Sequence, residues 1–170
     1  MSKKVLSVLL VLVALSTSAS MAYAAEEGKE GDVAKLLPAA KVTLQQGLKA
    51  SESAGKALSA KFEAGDEGLQ LSIYAAKGGK FYEVIVDHTT GKVVKAEPIT
   101  EGEDLVHARS QSAALAKAKK SLDAAADQAE HASPGSRAVS VMPQLKDGHP
   151  IAIVTLLSGK TMSSATETMD

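Results

Sequence analysis

Gly79-Lys80-Phe81-Tyr82-Glu83-Val84-Ile85-Val86-Asp87-His88-Thr89-Thr90-Gly91-Lys92-Val93-Val94 is the stretch that commits most clearly to a structure. Phe81 to Val86 is rich in aromatic and β-branched side chains, which suit the pleated, half-buried surface of a strand. Asp87 to Gly91 reads as a turn, because aspartate can bond backbone amides just beyond it and glycine accepts the positive φ of a bulged loop. Lys92 to Lys95 resumes extended character. The stretch is therefore expected to be a β-hairpin with one face on a core.

Working outward, the same alternation appears twice upstream. Leu58, Ala60, Phe62 and Ala64 alternate with Ser59, Lys61 and Glu63, and Leu69, Leu71, Ile73 and Ala75 alternate with Gln70, Ser72 and Tyr74. This period of two marks half-buried strands. Gly65-Asp66-Glu67-Gly68 and Lys77-Gly78-Gly79-Lys80 supply the turns, so an antiparallel meander is expected. Before it, Thr43-Leu44-Gln45-Gln46 has the pattern of a capping box that starts a helix carrying Leu44, Gly47, Leu48 and Ser51 on one face. Gly55 would end that helix. Gly47 inside it costs about 1 kcal/mol relative to alanine, which leaves simple tolerance and close approach to a sheet as alternatives. Leu36-Leu37-Pro38 predicts a short turn packing onto the domain.

Downstream, Pro98 to Asp104 is acidic and holds both helix breakers, so it is expected to be a linker. Leu105 to Ala132 has neither Gly nor Pro, and Leu115, Ala118, Leu122, Ala125, Ala126 and Ala129 recur at helical spacing, which predicts one long helix. Strand patterns then return. Ala138-Val139-Ser140-Val141 echoes Ala57-Leu58-Ser59-Ala60, and Ile151, Ile153 and Thr155 take the places of Leu71, Ile73 and Ala75. The glycine intervals Gly55–Gly68–Gly79 and Gly135–Gly148–Gly159 are both thirteen then eleven residues, although the first strands align only with a one-residue shift. A tandem repeat of helix-then-meander is the expectation, with Thr161 to Met169 a degenerate, polar last strand.

The N-terminus points to export. Lys3 and Lys4 precede an apolar run, Val5 to Leu15, and Ala22-Tyr23-Ala24 fits a cleavage site, the layout of a signal peptide. The apolar run is well short of the roughly 20 residues that span a bilayer, so no stable membrane anchor is expected. With no cysteine in the chain, neither lipoprotein attachment nor a disulfide is expected. Cleavage after Ala24 takes Lys+Arg from 19 to 17 against 20 Asp+Glu, a net charge of about −3, which argues against a nucleic-acid partner. Although 45% of residues are hydrophobic, much of that is alanine, with two Phe, three Tyr and no Trp, so a modest core is expected. The expected organisation is a signal peptide over 1–24, a flexible segment over 25–40, a first unit over 41–98, a linker over 99–108 and a second unit over 109–170.

Thr43 to Gln46, Leu69 to Ala75, Phe81 to Asp87 and Thr90-Gly91-Lys92-Val93 together resemble the PepSY domain. The likeness covers about Lys41 to Pro98; the stretch Leu105 to Asp170 lacks both the aromatic-Glu-Val strand and the Asp-x-x-x-Gly turn. The resemblance implies a small α+β domain, and with the repeat the expected fold is α+β, two PepSY-like units, each one helix on a three- to four-stranded antiparallel meander. It also implies a small domain of exported bacterial proteins and of metalloprotease propeptides, with protease-inhibitory or protein-binding roles and no catalytic residues to carry over.

Patterns of chemistry are weak. His88, His107, His131 and His149 are not at metal-ligand spacing, and Asp66 with Glu67, or Glu101 with Glu103 and Asp104, lacks the ligand order of a calcium loop. No nucleophile elbow, phosphate loop or dinucleotide fingerprint occurs. Lys117-Ala118-Lys119-Lys120 reads as a charged helix face, with membrane-surface attachment the alternative. No catalytic, cofactor-binding or metal residue is assigned and no cofactor is expected. The function expected is a non-enzymatic periplasmic or secreted protein that binds a peptide or protein partner, with strand addition at a sheet edge as the means. The alternatives are an inhibitor of a secreted protease or a folding modulator, and behind those an enzyme with an unrecognised site.

Overall fold

In the computed structural model, which describes residues 32–170, the opening stretch forms β3 (Lys80–Val86) and β4 (Val93–Ile99) joined through Asp87 to Gly91. Asp87 Oδ1 accepts from the amides of Thr89 and Thr90 at 2.8 and 2.9 Å and from the Thr89 hydroxyl at 2.6 Å. Gly91 takes a φ of 72° and donates to the Asp87 carbonyl. The expected signal peptide (1–24) and residues 25–31 of the expected flexible segment lie outside the described residues.

The remaining strands are β1 (Lys56–Gly65), β2 (Gly68–Lys77), β5 (Arg137–Lys146), β6 (His149–Ser158) and β7 (Thr161–Thr168). All seven form one antiparallel sheet in the order β4-β3-β2-β1-β5-β6-β7. This corrects the expected α+β fold of two helix-on-meander units. The two meanders are halves of a single sheet, joined where Ala60 pairs with Val141 and Lys61 with Ser140. Ala60 and Val141 are fully buried, so separating the halves would expose both. One apolar cluster runs from Leu37, Leu44 and Leu71 through to Val141, Val154 and Met169.

Helix α1 (Leu44–Ser51) starts at the expected capping box: Thr43 Oγ1 accepts from the Gln46 amide at 3.1 Å and Gln46 Oε1 from the Thr43 amide at 2.8 Å. Its close approach to the sheet explains Gly47, since a Cβ there would lie 2.5 Å from Leu71 Cδ2. The expected long helix is two helices, α2 (Gly102–Leu115) and α3 (Leu122–Ala132). Ser121 caps α3 by accepting from the Ala124 amide. Gln45 of α1 donates to Asp127 and Glu130 of α3 at 2.8 and 3.0 Å, so these two helices lie side by side on one face. Helix α2 lies on the other face, where Ser59 Oγ donates to Gln111 Oε1 at 2.8 Å.

The stretch expected to be a linker is structured. Pro98 belongs to β4, an edge strand, where a residue without an N–H costs no ladder bond. Gly102 already begins α2. Residues 32–36 form a helical turn that runs into a 3-10 turn, Leu37–Ala39, with Leu37 buried as expected. Arg137 holds this segment to β5 by donating to the carbonyls of Leu37, Ala40 and Val42.

The repeat is real, but its register differs from the one the glycines suggest. Each of β5, β6 and β7 starts 81 residues after β1, β2 and β3, and the bulges at Leu58 and Val139 also lie 81 apart. Glycine matching imposes a spacing of 80. A one-residue slip exchanges the faces of a strand. Ala152, Val154 and Leu156, all buried, therefore occupy the helix-side places of Leu71, Ile73 and Ala75. Ile151 and Ile153 face the α2 side instead, with Ile153 only half-buried. Both halves close on two-residue turns. Gly78-Gly79 has φ of 58° and 75°, and Asp147-Gly148 has 53° and 83°, the left-handed values such hairpins need.

Candidate functional site

The sheet has two outer strands, and they differ in chemistry. β4 reads Val93-Val94-Lys95-Ala96-Glu97-Pro98-Ile99. Proline removes one donor from the edge, and Lys95 and Glu97 form an ion pair at 2.9 Å beside it. Such features keep a further strand from pairing. β7 reads Thr161-Met162-Ser163-Ser164-Ala165-Thr166-Glu167-Thr168, with no proline and no lysine. Its one charge, Glu167, is buried on the α1–α3 side and does not guard the edge.

Backbone direction follows from the turn. In a two-residue hairpin the closing residues, here Ser158 and Thr161, form a hydrogen-bonded pair, and such pairs recur at every second position. Ser163, Ala165 and Glu167 thus bond inward to β6, whereas Met162, Ser164, Thr166 and Thr168 aim their N–H and C=O groups outward. The Thr168 carbonyl is taken by Lys120 Nζ at 3.0 Å. Met162, Ser164 and Thr166 remain as a short open row. Just beyond, the amides of Lys119 and Lys120 donate to the Met169 carbonyl at 2.7 and 3.1 Å, and the Met169 amide donates to Pro150. The end of β7 is thereby latched to the α2–α3 turn.

The α2 face carries a polar network. Ser72 Oγ lies 2.7 Å from Glu63 Oε1 and 3.1 Å from Glu83 Oε1, and Gln70 Nε2 donates to Ser72 Oγ at 2.8 Å. Tyr74 donates to Asp104 Oδ1 at 2.5 Å. Burial first, and then the hydrogen bond to that carboxylate, push the phenol well above its ordinary range. These carboxylates are neutralised or bonded locally, an arrangement that organises a surface.

The histidines do not come together. The His88 carbonyl accepts from the amides of Lys41 and Val42, and its ring is half-buried. His107 lies on α2, His131 Nδ1 sits 2.8 Å from the Asp127 carbonyl, and His149 is 3.5 Å from Asp170. Asp66 and Glu67 occupy the β1–β2 turn, while Glu103 and Asp104 stand in the first turn of α2. Among the described residues no group of three acidic or histidine side chains is placed to hold a metal ion. No serine or threonine hydroxyl among them is hydrogen-bonded to a histidine ring. No helix among them is long and apolar enough to cross a membrane.

Lys117 to Lys120 forms the α2–α3 turn, which corrects the expected charged helix face. The signal for that break is Ser121-Leu122-Asp123, a cap followed by an acidic first turn. The open edge of β7 was legible only as a Ser/Thr run without lysine or proline. Comparison of the chain with family models, with curated proteins and with solved structures gave no match.

Proposed function

We propose that this chain is a non-enzymatic exported binding protein that takes an extended segment of a peptide or protein partner as an added strand on β7. The contrast between the two outer strands carries the reading: β4 is defended by Pro98, Lys95 and Glu97, whereas β7 presents an undefended row of backbone groups. Main-chain hydrogen bonds along such an edge supply affinity, and alternate side chains supply selectivity. The likeness of Lys41 to Pro98 to a protein-binding domain, and the export signal read in residues 1–24, support the same assignment.

The test uses the chain over 25–170 and decapeptides selected on it from a random displayed library. Selected peptides should shift the amide signals of Met162, Ser164 and Thr166. Ser164→Pro removes an outward N–H that β6 does not use, so it should abolish binding while the unfolding midpoint stays within a few degrees. Peptides that bind Ser164→Pro unchanged, or that shift β4 instead, would overturn the reading. The export component is checked by N-terminal sequencing of protein from cells expressing the whole chain, which should begin near Ala25; retained Met1 contradicts it.

A further inference from the structure

A cleft of about 620 Å³ opens where α1, the α2–α3 turn and the adjoining ends of β1 and β2 meet. Its floor is apolar, formed by Leu48, Leu115, Ala118 and Leu122. Four lysines line it as well: Lys56, Lys77, Lys119 and Lys120. Lys77 donates to the Ser53 carbonyl and Lys120 to Thr168. Lys56 and Lys119 make no side-chain hydrogen bond or ion pair among the described residues. The opposing charges are Glu52 and Asp123. Both also line a neighbouring hollow of about 390 Å³ with Gln45, Gln46 and Lys49, so they mark the α1–α3 end of the cleft. That leaves four cations against two carboxylates, over a floor that favours hydrocarbon.

We propose that this cleft binds a small amphipathic anion, with a carboxylate head on Lys56 and Lys119 and a short hydrocarbon tail on Leu48, Leu115 and Leu122. The size falls within the range of small-molecule sites, which are mostly apolar with a few placed polar groups. Lys56 and Lys119 are exposed and hold no protein partner among the described residues, so both ammonium groups are free to give charge-assisted hydrogen bonds to such a head. The carboxylates of Glu52 and Asp123 repel the head from the α1–α3 end, which sets the orientation. The cleft shares no residue with the open row Met162, Ser164 and Thr166 of β7.

Octanoate is the probe, with octylammonium (same tail, opposite head) and acetate (head without tail) as controls, each titrated into the 25–170 chain. Octanoate should displace the methyl signals of Leu48, Leu115 and Leu122 and saturate, while the two controls should not. Lys56→Gln combined with Lys119→Gln should weaken octanoate by about tenfold, with an unchanged circular dichroism spectrum because neither side chain has a partner to lose. Ser164→Pro should leave octanoate binding intact, which separates this site from the peptide reading. Equal binding of octylammonium, an unchanged octanoate affinity in the double variant, or silent leucine methyls up to about 10 mM would each overturn the assignment.

Discussion

Ala60 of β1 stands opposite Val141 of β5, and both side chains are closed to solvent at the one seam that joins the two halves of the sheet. The seam is short in hydrogen bonds but central to the core, so the halves should unfold together. Calorimetry of the 25–170 chain should show one transition, with equal calorimetric and van't Hoff enthalpies. A fragment over 25–100 should lack a cooperative transition. Val141→Asp should cost at least about 3 kcal/mol, the penalty for burying an unpaired charge. Two resolved transitions would restore separate units.

Gly47 and Leu71 are a second coupled pair. Alanine at 47 gains helix propensity of about 1 kcal/mol, but its Cβ would press on the fully buried side chain of Leu71. Overpacking costs roughly 1–3 kcal/mol, so Gly47→Ala should be destabilising by about 1 kcal/mol. In a Leu71→Ala background the clash is gone and the same change should be stabilising. A double-mutant cycle in denaturant reads the sign reversal; additivity would rule out the close-approach explanation.

Arg137 donates to Val42 at 2.5 Å and stacks over Phe62 with 5.3 Å to the ring centre. Its half-buried guanidinium titrates below its usual range because of that burial. A lysine can neither fork between carbonyls nor stack in the same way. Arg137→Lys should therefore cost about 2 kcal/mol and increase amide exchange over Val33 to Val42. Unchanged exchange there would show that the segment is held by its own leucines.

Asp87 gives a pH dependence. Hydrogen bonds from the Thr89 hydroxyl and then from the Thr90 and Thr89 amides hold its carboxyl well below the ordinary aspartate value of 3.8. A depressed folded-state value means stabilisation that is complete above 3.8 and lost as the pH falls below it toward the folded value. Asp87→Asn, which keeps an acceptor but does not titrate, should unfold with a shallower acid limb. Identical limbs for the two proteins would place the acid sensitivity elsewhere.

Local signals were readable from the sequence because they rest on neighbours in the chain. The capping box at Thr43, the Asp87 turn and the alternation of β1, β2 and β3 all appear where expected. What escaped depends on contacts distant in sequence. Pro98 and Gly102 look like a linker, yet proline is harmless on an edge strand. Lys117 to Lys120 has helical composition, but Met169 takes its amides and Ser121 starts a new helix. Glycine spacing misplaced Ile151 and Ile153 because turns of different type place glycine at different positions, whereas the bulges at Leu58 and Val139 carry the true register. Pairing of β1 with β5 has no local signature. It follows from the burial of Ala60 and Val141, which only the assembled sheet reveals.

The latch at Met169 has a mechanical consequence. β7 is both the last strand and an outer one, so tension on Asp170 loads its ladder with β6 one pair at a time, as a zipper opens, whereas a strand pulled lengthwise loads every pair at once. The side chain of Met169 is fully enclosed, and its carbonyl and amide are held by Lys119, Lys120 and Pro150. A pull on the chain just beyond β7 must draw this one residue out before the β6–β7 ladder opens. The segment Leu37 to Val42 is fastened separately, through Arg137 to three carbonyls. Met169 is thus the residue through which a pull on the strand end of β7 is first resisted.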